Sequence, residues 1–134
     1  MNNNEGSALN TLRVYVAGPY SATSVIDALG NMKRGIALSV RAMHAGVAVY
    51  SPWCDFQFGL VADTPDDLTL EQYQMNSLAW LRVSDAVLLA PGWRDSRGTM
   101  TEVKLASELG IPVFETLDDL TSWAHAHAFG VTGC

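Results

Sequence analysis

Residues 85–113, DAVLLAPGWRDSRGTMTEVKLASELGIPV, carry the clearest signals of the protein's architecture. The apolar run at 86–90 predicts a buried strand that stops at Pro91-Gly92, and after a polar loop a helical pattern opens near Thr99. Gly110 closes that helix, and a second apolar strand follows. A strand, a helix and a strand in this order predict a parallel α/β unit. Ligands bind such sheets at the carboxyl ends of the strands.

The rest of the chain repeats the same alternation. Apolar runs predict further strands at 12–17, 47–50 and 112–115, and helical patterns cover about 24–45, 70–82 and 118–127. Residues 53–69 have no clean period, which indicates a lid, a binding loop or partial disorder. The sequence therefore predicts an α/β three-layer sandwich with a parallel, flavodoxin-like sheet of four to five strands.

Composition restricts the class of protein. The 134 residues, 49% of them hydrophobic, suit a single domain over 12–134 after a disordered N-terminal tail at 1–11. The net charge of −6 argues against a nucleic-acid polymer as partner. No apolar run is long enough for a membrane span, and no signal-peptide pattern is present. With the two cysteines Cys54 and Cys134, the expectation is a reduced, cytoplasmic protein.

Polar residues gather where the predicted strands end. Parallel topology should bring Tyr15, residues 18–21, 52–57 and 96–102 to one crevice. Small hydroxyl residues, a glycine and Glu102 at a helix N-terminus suit a phosphorylated ligand. Thr99-x-x-Glu102 also fits a capping box, in which Glu102 would only satisfy backbone N–H groups. The pattern leaves both interpretations open, and it holds no metal-ligand spacing.

Three motifs carry a family resemblance. They are VYVAGPYS at 14–21, DAVLL at 85–89, and S-x-G-x-x-x-E-x-x-x-A-x-x-x-G-x-P-V at 96–113. In order and spacing the chain resembles the nucleoside 2-deoxyribosyltransferase superfamily. It is most similar to the 2′-deoxynucleoside 5′-phosphate N-hydrolases and to small phage-type relatives.

The resemblance implies roles for matching positions. Glu102 corresponds to the nucleophilic glutamate that attacks the anomeric carbon, and Tyr15 to the tyrosine that positions it. Gly98 corresponds to a glycine that lets backbone approach the ligand. Ser96 stands where transferases of free nucleosides carry aspartate and the phosphate-binding hydrolases carry serine, which favours a 5′-monophosphate, although Asp95 lies beside it. The resemblance also implies that the loop with Gly18, Tyr20 and Ser21 binds substrate.

The chain departs from the family pattern in two ways. The loop after the first strand lacks the family's phosphate-pairing arginines, so serines, backbone N–H groups and Arg97 or Lys33 would have to hold a phosphate. Ser77 stands where the family usually has an acid that acts on the sugar and leaving base. Either Asp55 or another acid replaces it, or activity is weak or absent.

Aromatic residues after the second strand are candidates for base recognition. Trp53 or Phe56 would stack on the base, and Asp55 or Gln57 would read its edge. Alternatively, these aromatics simply cover the end of the sheet.

The resulting hypothesis is a cofactor-free and metal-free N-glycosidase that hydrolyses the base–sugar bond of a (2′-deoxy)nucleoside 5′-monophosphate. The alternatives are a base-exchanging deoxyribosyltransferase, a nucleotide-binding module without catalysis, and a purely structural partner protein. The resemblance also implies a homodimer or higher homo-oligomer, in which the partner subunit contributes to the site. The candidates for that contribution are Asp119, Thr121 and Ser122, with Trp123 as an anchor of the contact.

Overall fold

The computed structural model describes residues 11–64 and 67–127. The elements follow in the order β1 (Arg13–Ala17), α1 (Val25–His44), β2 (Ala48–Tyr50), α2 (Leu70–Arg82), β3 (Ala86–Leu89), α3 (Arg97–Leu109), β4 (Val113–Phe114) and α4 (Leu117–Ala126). Two 3₁₀ segments, Pro52–Val61 and Trp93–Asp95, complete them. Residues 1–10 of the predicted tail and 128–134 of the predicted domain lie outside the described residues. No helix in the described ranges has the length and apolarity to cross a membrane.

The sheet is parallel throughout its described part and has the strand order β2-β1-β3-β4. This is a flavodoxin-like order, in which β1 and β3 lie side by side in the middle. The predicted α/β three-layer architecture is confirmed. The carboxyl ends of β1, β2 and β3 all lie at one edge of the sheet.

Two apolar clusters fill the space between the sheet and its helices. The strands alternate in period two, so Val14 and Leu88 face one cluster while Tyr15 and Val87 face the other. The first cluster joins the sheet to α1 and α4, and the second joins it to α2 and α3. Tyr15 therefore points to the same side of the sheet as α3, the helix that carries Glu102.

Helix starts follow side-chain caps. Thr69 begins α2 with a complete capping box, in which Gln72 is the second residue. Thr116 caps α4, which begins at Leu117 and therefore slightly earlier than the pattern predicts. At the other end of α3, Gly110 adopts φ 74°, a left-handed conformation that suits glycine and confirms its predicted role as helix terminator.

The segment after β2 is more ordered than predicted. Residues 53–69 were expected to be irregular, yet Pro52–Val61 forms a 3₁₀ helix. Trp53 fixes its start: the indole is 1% exposed, and its Nε1 donates to the Pro19 carbonyl at 3.0 Å. A Cβ at Gly35 would meet this indole at 2.3 Å, so α1 can pack here only because Gly35 has no side chain.

Candidate active site

A buried tyrosine and a carboxylate meet at the carboxyl end of β1. The Tyr15 side chain is fully buried on the central strand, and its hydroxyl donates to the partly buried Glu102 carboxylate in the second turn of α3. The two residues are 87 positions apart in the chain. The prediction that Tyr15 and Glu102 come together is confirmed.

Burial changes the proton affinity of both groups. It raises the pKa of Glu102 from 4.5 to about 7, and the hydrogen bond from Tyr15 opposes this rise only in part. Burial, together with the neighbouring Glu102 charge, raises the pKa of the Tyr15 hydroxyl. Tyr15 therefore keeps its proton and acts as a donor, while Glu102 changes its charge near neutral pH.

A second tyrosine and a second carboxyl lie beside the first pair. Tyr50 on β2 is the register partner of Tyr15, and the two rings stack with centroids 5.4 Å apart and planes 20° apart. The Tyr50 hydroxyl lies 3.3 and 3.4 Å from the two Asp55 carboxylate oxygens, and Asn76 Nδ2 donates to that hydroxyl at 3.1 Å. Burial raises the pKa of Asp55.

Ser77 lies between the two pairs. Its side chain is 8% exposed on α2, and hydrogen bonding by its hydroxyl lowers the pKa of Tyr15, of Tyr50 and of Asp55. A serine hydroxyl has one hydrogen, so it can donate to only one of these groups at a time. Ser77 thus joins the Tyr15–Glu102 pair to the Tyr50–Asp55 pair.

The structure decides between the two interpretations of Glu102. Helix α3 begins at Arg97 and not near Thr99, and its N-cap is Ser96, whose Oγ accepts the Thr99 N–H at 3.2 Å. The predicted Thr99–Glu102 capping box is therefore wrong. The Glu102 carboxylate accepts a hydrogen bond from Tyr15 instead of capping the helix.

Ser96 and Gly98 lie at the start of α3, where backbone N–H groups point outward. The Ser96 Oγ also accepts a hydrogen bond from the buried Thr99 hydroxyl at 2.8 Å. Two acceptor positions are then used, and the Ser96 hydroxyl keeps its hydrogen to donate to a ligand. Gly98 is exposed, and a Cβ there would meet nothing within 4 Å.

The loop after β1 contributes Gly18, Tyr20 and Ser21. A Cβ on Gly18 would lie 2.6 Å from the Ala90 Cβ, so this glycine permits close packing of the strand ends. Burial and the nearby Asp55 charge raise the pKa of Tyr20, which is 37% exposed and so lies at the surface beside Asp55. Ser21 is exposed, and its carbonyl accepts from Asn31 Nδ2 at 3.5 Å.

One predicted substrate contact is wrong. Trp53 was a candidate for stacking on a base, but it is a core residue packed against Gly35 and Gly18. The alternative interpretation, in which the aromatic covers the end of the sheet, is correct for this residue. Phe56 is 49% exposed and is the accessible member of the candidate pair.

Sequence reasoning did not find Tyr50. The signal that could have found it is its position at the end of β2, opposite Tyr15 in the neighbouring parallel strand. Trp80 is 52% exposed and stacks on Tyr50 with ring centroids 6.0 Å apart. Asp85 has a structural role, since it accepts a hydrogen bond from the Arg13 N–H at 2.8 Å. Trp123, the predicted anchor of a subunit contact, packs on Phe114 of its own chain at 5.3 Å.

Comparison with known families identifies one match. Residues 12–115 match the family described as a domain of unknown function, DUF4406. This region covers most of the chain, so the protein belongs to that family. A search of curated proteins finds no significant match.

Proposed function

We propose that this member of the DUF4406 family is an N-glycosidase that hydrolyses the base–sugar bond of a (2′-deoxy)nucleoside 5′-monophosphate. The observation that carries the proposal is the buried Tyr15–Glu102 pair at the carboxyl edge of a parallel sheet. A carboxylate in such a position, free of any capping role, is the nucleophile that a retaining glycosidase requires.

In the proposed reaction Glu102 attacks the anomeric carbon and forms a glycosyl-enzyme intermediate, which water then hydrolyses. Tyr15 holds the attacking oxygen in one orientation by donating its hydroxyl hydrogen to the carboxylate. Burial removes water from Glu102 and raises its pKa to about 7, so the carboxylate is reactive once ionised. Glu102 must lose its proton before it can attack.

The start of α3 supports a phosphorylated substrate. Ser96 offers a hydroxyl hydrogen, and the first N–H groups of the helix favour an anion. Gly98 lets the phosphate approach the backbone without a side chain in the way. Ser21, on the loop after β1, is the third proposed contact. The three proposed contacts are neutral donors, so the protein's net charge of −6 does not by itself oppose phosphate binding there.

The second candidate is a nucleotide-binding module without catalysis, and Ser77 favours it. A buried serine at this position cannot supply the acid that the related enzymes are expected to use on the leaving base. Base exchange between deoxynucleosides differs from hydrolysis only in the acceptor, since a base replaces water. We expect the enzyme to act in the cytoplasm, where the exposed Cys54 thiol stays reduced.

The test is incubation of the purified protein with a panel of ribo- and deoxyribonucleoside 5′-monophosphates, followed by chromatography for free base. Wild type should release a base from at least one compound, whereas Glu102→Gln should lose several orders of magnitude in rate. Glu108→Gln, which changes an exposed glutamate of the same helix, is the matched control and should keep full activity. Ligand-dependent stabilisation without base release would favour the binding module, and release only with an added base would favour exchange.

A further inference from the structure

The proposed hydrolysis needs a second carboxyl group besides Glu102. A base that leaves the sugar takes the bonding electron pair with it, and a proton delivered to its ring nitrogen makes it a much better leaving group. Retaining glycosidases use one carboxylate as nucleophile and another carboxyl as acid, about 5–5.5 Å apart. The Ser77 hydroxyl is far too weak an acid for this purpose.

The paired tyrosines connect one other carboxyl to the Glu102 site. Tyr15 and Tyr50 are register partners on adjacent parallel strands, and their rings lie nearly parallel with centroids 5.4 Å apart. Each hydroxyl contacts a different carboxyl group: Tyr15 contacts Glu102, and Tyr50 contacts Asp55. The stacked tyrosines therefore connect the two carboxyls through one tyrosine hydroxyl each.

The surroundings of Asp55 suit a group that holds a proton. Asp55 lies in the first turn of the 3₁₀ segment and is partly buried, and this burial raises its pKa. Its hydrogen-bond partner Tyr50 stacks on Tyr15, which links Asp55 to the Tyr15–Glu102 pair. Tyr20, which is 37% exposed, lies near enough for the Asp55 charge to raise its pKa.

We propose that Asp55 is the general acid that protonates the leaving base, a catalytic role that rests on the hydrolysis proposed above. As a Glu102 oxygen bonds to the anomeric carbon, the carbon–nitrogen bond breaks and its electron pair takes the Asp55 proton. In the second step the Asp55 carboxylate takes a proton from water, whose oxygen bonds to the anomeric carbon. The bond to Glu102 breaks, and both carboxyl groups return to their first state.

The test compares two leaving groups under single-turnover conditions with enzyme in excess, so that only the first step is observed. One substrate is a nucleoside monophosphate that the wild type hydrolyses; the other is the 4-nitrophenyl 2-deoxyriboside 5-phosphate, whose nitrophenolate leaves without a proton. Asp55→Asn should slow base release at least about 100-fold, yet slow nitrophenolate release less than about threefold. Asp63→Asn, an exposed aspartate just beyond the same segment, should change neither rate.

Equal losses on both substrates in a folded Asp55→Asn protein, or no loss on either, would overturn the assignment. Circular dichroism checks the fold, and Asp55→Ala with added formate is the second variant: the small acid should restore base release, and failure to do so counts against Asp55. Glu102→Gln separates the two proposals, because it should lose activity on both substrates. If it keeps activity on both, or if the wild type releases neither product, the proposed hydrolysis itself is wrong, and the proposed role of Asp55 is wrong with it.

Discussion

Replacing Glu102 with glutamine should stabilise the fold while it abolishes the proposed reaction. Glutamine has nearly the same shape, and its amide oxygen can still accept the Tyr15 hydrogen bond. It differs from glutamate in that it cannot ionise. The wild-type carboxylate must be charged in a site where burial penalises charge, and the variant avoids that penalty.

The magnitude follows from the pKa of Glu102. In the folded protein the carboxyl has a pKa of about 7 instead of 4.5, so between these values the folded state binds more protons than the unfolded state. The free energy of unfolding of the wild type therefore falls as pH rises from about 4.5 to about 7, and the loss is complete above 7. A rise of this size corresponds to up to about 3 kcal/mol.

Urea unfolding at pH 5 and at pH 8.5 measures the effect. The stability advantage of Glu102→Gln over the wild type should grow by about 2 kcal/mol or more between the two pH values. Glu108→Gln, in the same helix but exposed, should show a nearly constant difference from the wild type. A Glu102→Gln advantage that is absent at pH 8.5, or that does not depend on pH, would refute the burial argument.

Activity should depend on the same proton in the opposite direction. With the 4-nitrophenyl substrate, whose leaving group needs no proton, the rate should rise as pH passes through about 7, because Glu102 attacks only when ionised. Tyr15→Phe removes the hydrogen bond that favours the charged carboxylate, so this rising limb should move to higher pH while the maximum rate falls. An unmoved limb in Tyr15→Phe would show that the tyrosine does not act on Glu102.

Three further predictions concern the ligand, the core and assembly. Ser96→Asp keeps a side chain that can cap the helix, but its carboxylate would repel a phosphate by about 4 kcal/mol at 4 Å. Calorimetric titration should therefore show weaker binding of the monophosphate and unchanged binding of the free nucleoside. Equal losses for both ligands would contradict this. Gly35→Ala should lower the free energy of unfolding by about 1–3 kcal/mol because its Cβ overlaps Trp53, whereas Gly98→Ala, with open space around it, should not lower it. Analytical ultracentrifugation should find a homodimer or larger assembly, and a fully active monomer would contradict that expectation.

Much of the fold could be predicted because its signals are local. Thr69 and Gly110 mark helix ends through their own backbone and side-chain chemistry, and apolar runs identify strands without any knowledge of their neighbours. The convergence of Tyr15 and Glu102 was also predictable, since parallel strands bring their carboxyl ends to one edge.

The start of α3 could not be predicted in the same way. Ser96 and Thr99 are both acceptable N-caps. The backbone N–H of Thr99 can bond to Ser96, and Glu102 could complete a capping box with Thr99. The choice depends on Glu102, which a tyrosine from a distant strand holds away from the helix start. The position of Trp53 after a strand likewise fits both a lid residue and a core residue. The indole is buried because Gly18 and Gly35, in two other segments of the chain, leave space for it.

The α/β architecture, the order of its elements and the edge of the sheet where polar residues gather follow from local sequence, because each depends on periods and caps within a few residues. Which groups face each other depends on the packing of distant segments. The stacking of Tyr50 on Tyr15 and the pairing of each hydroxyl with its own carboxyl arise from strand register. Proton affinity follows the same rule: Glu102 holds its proton to about pH 7 because distant segments exclude water from it, and no local pattern records that burial.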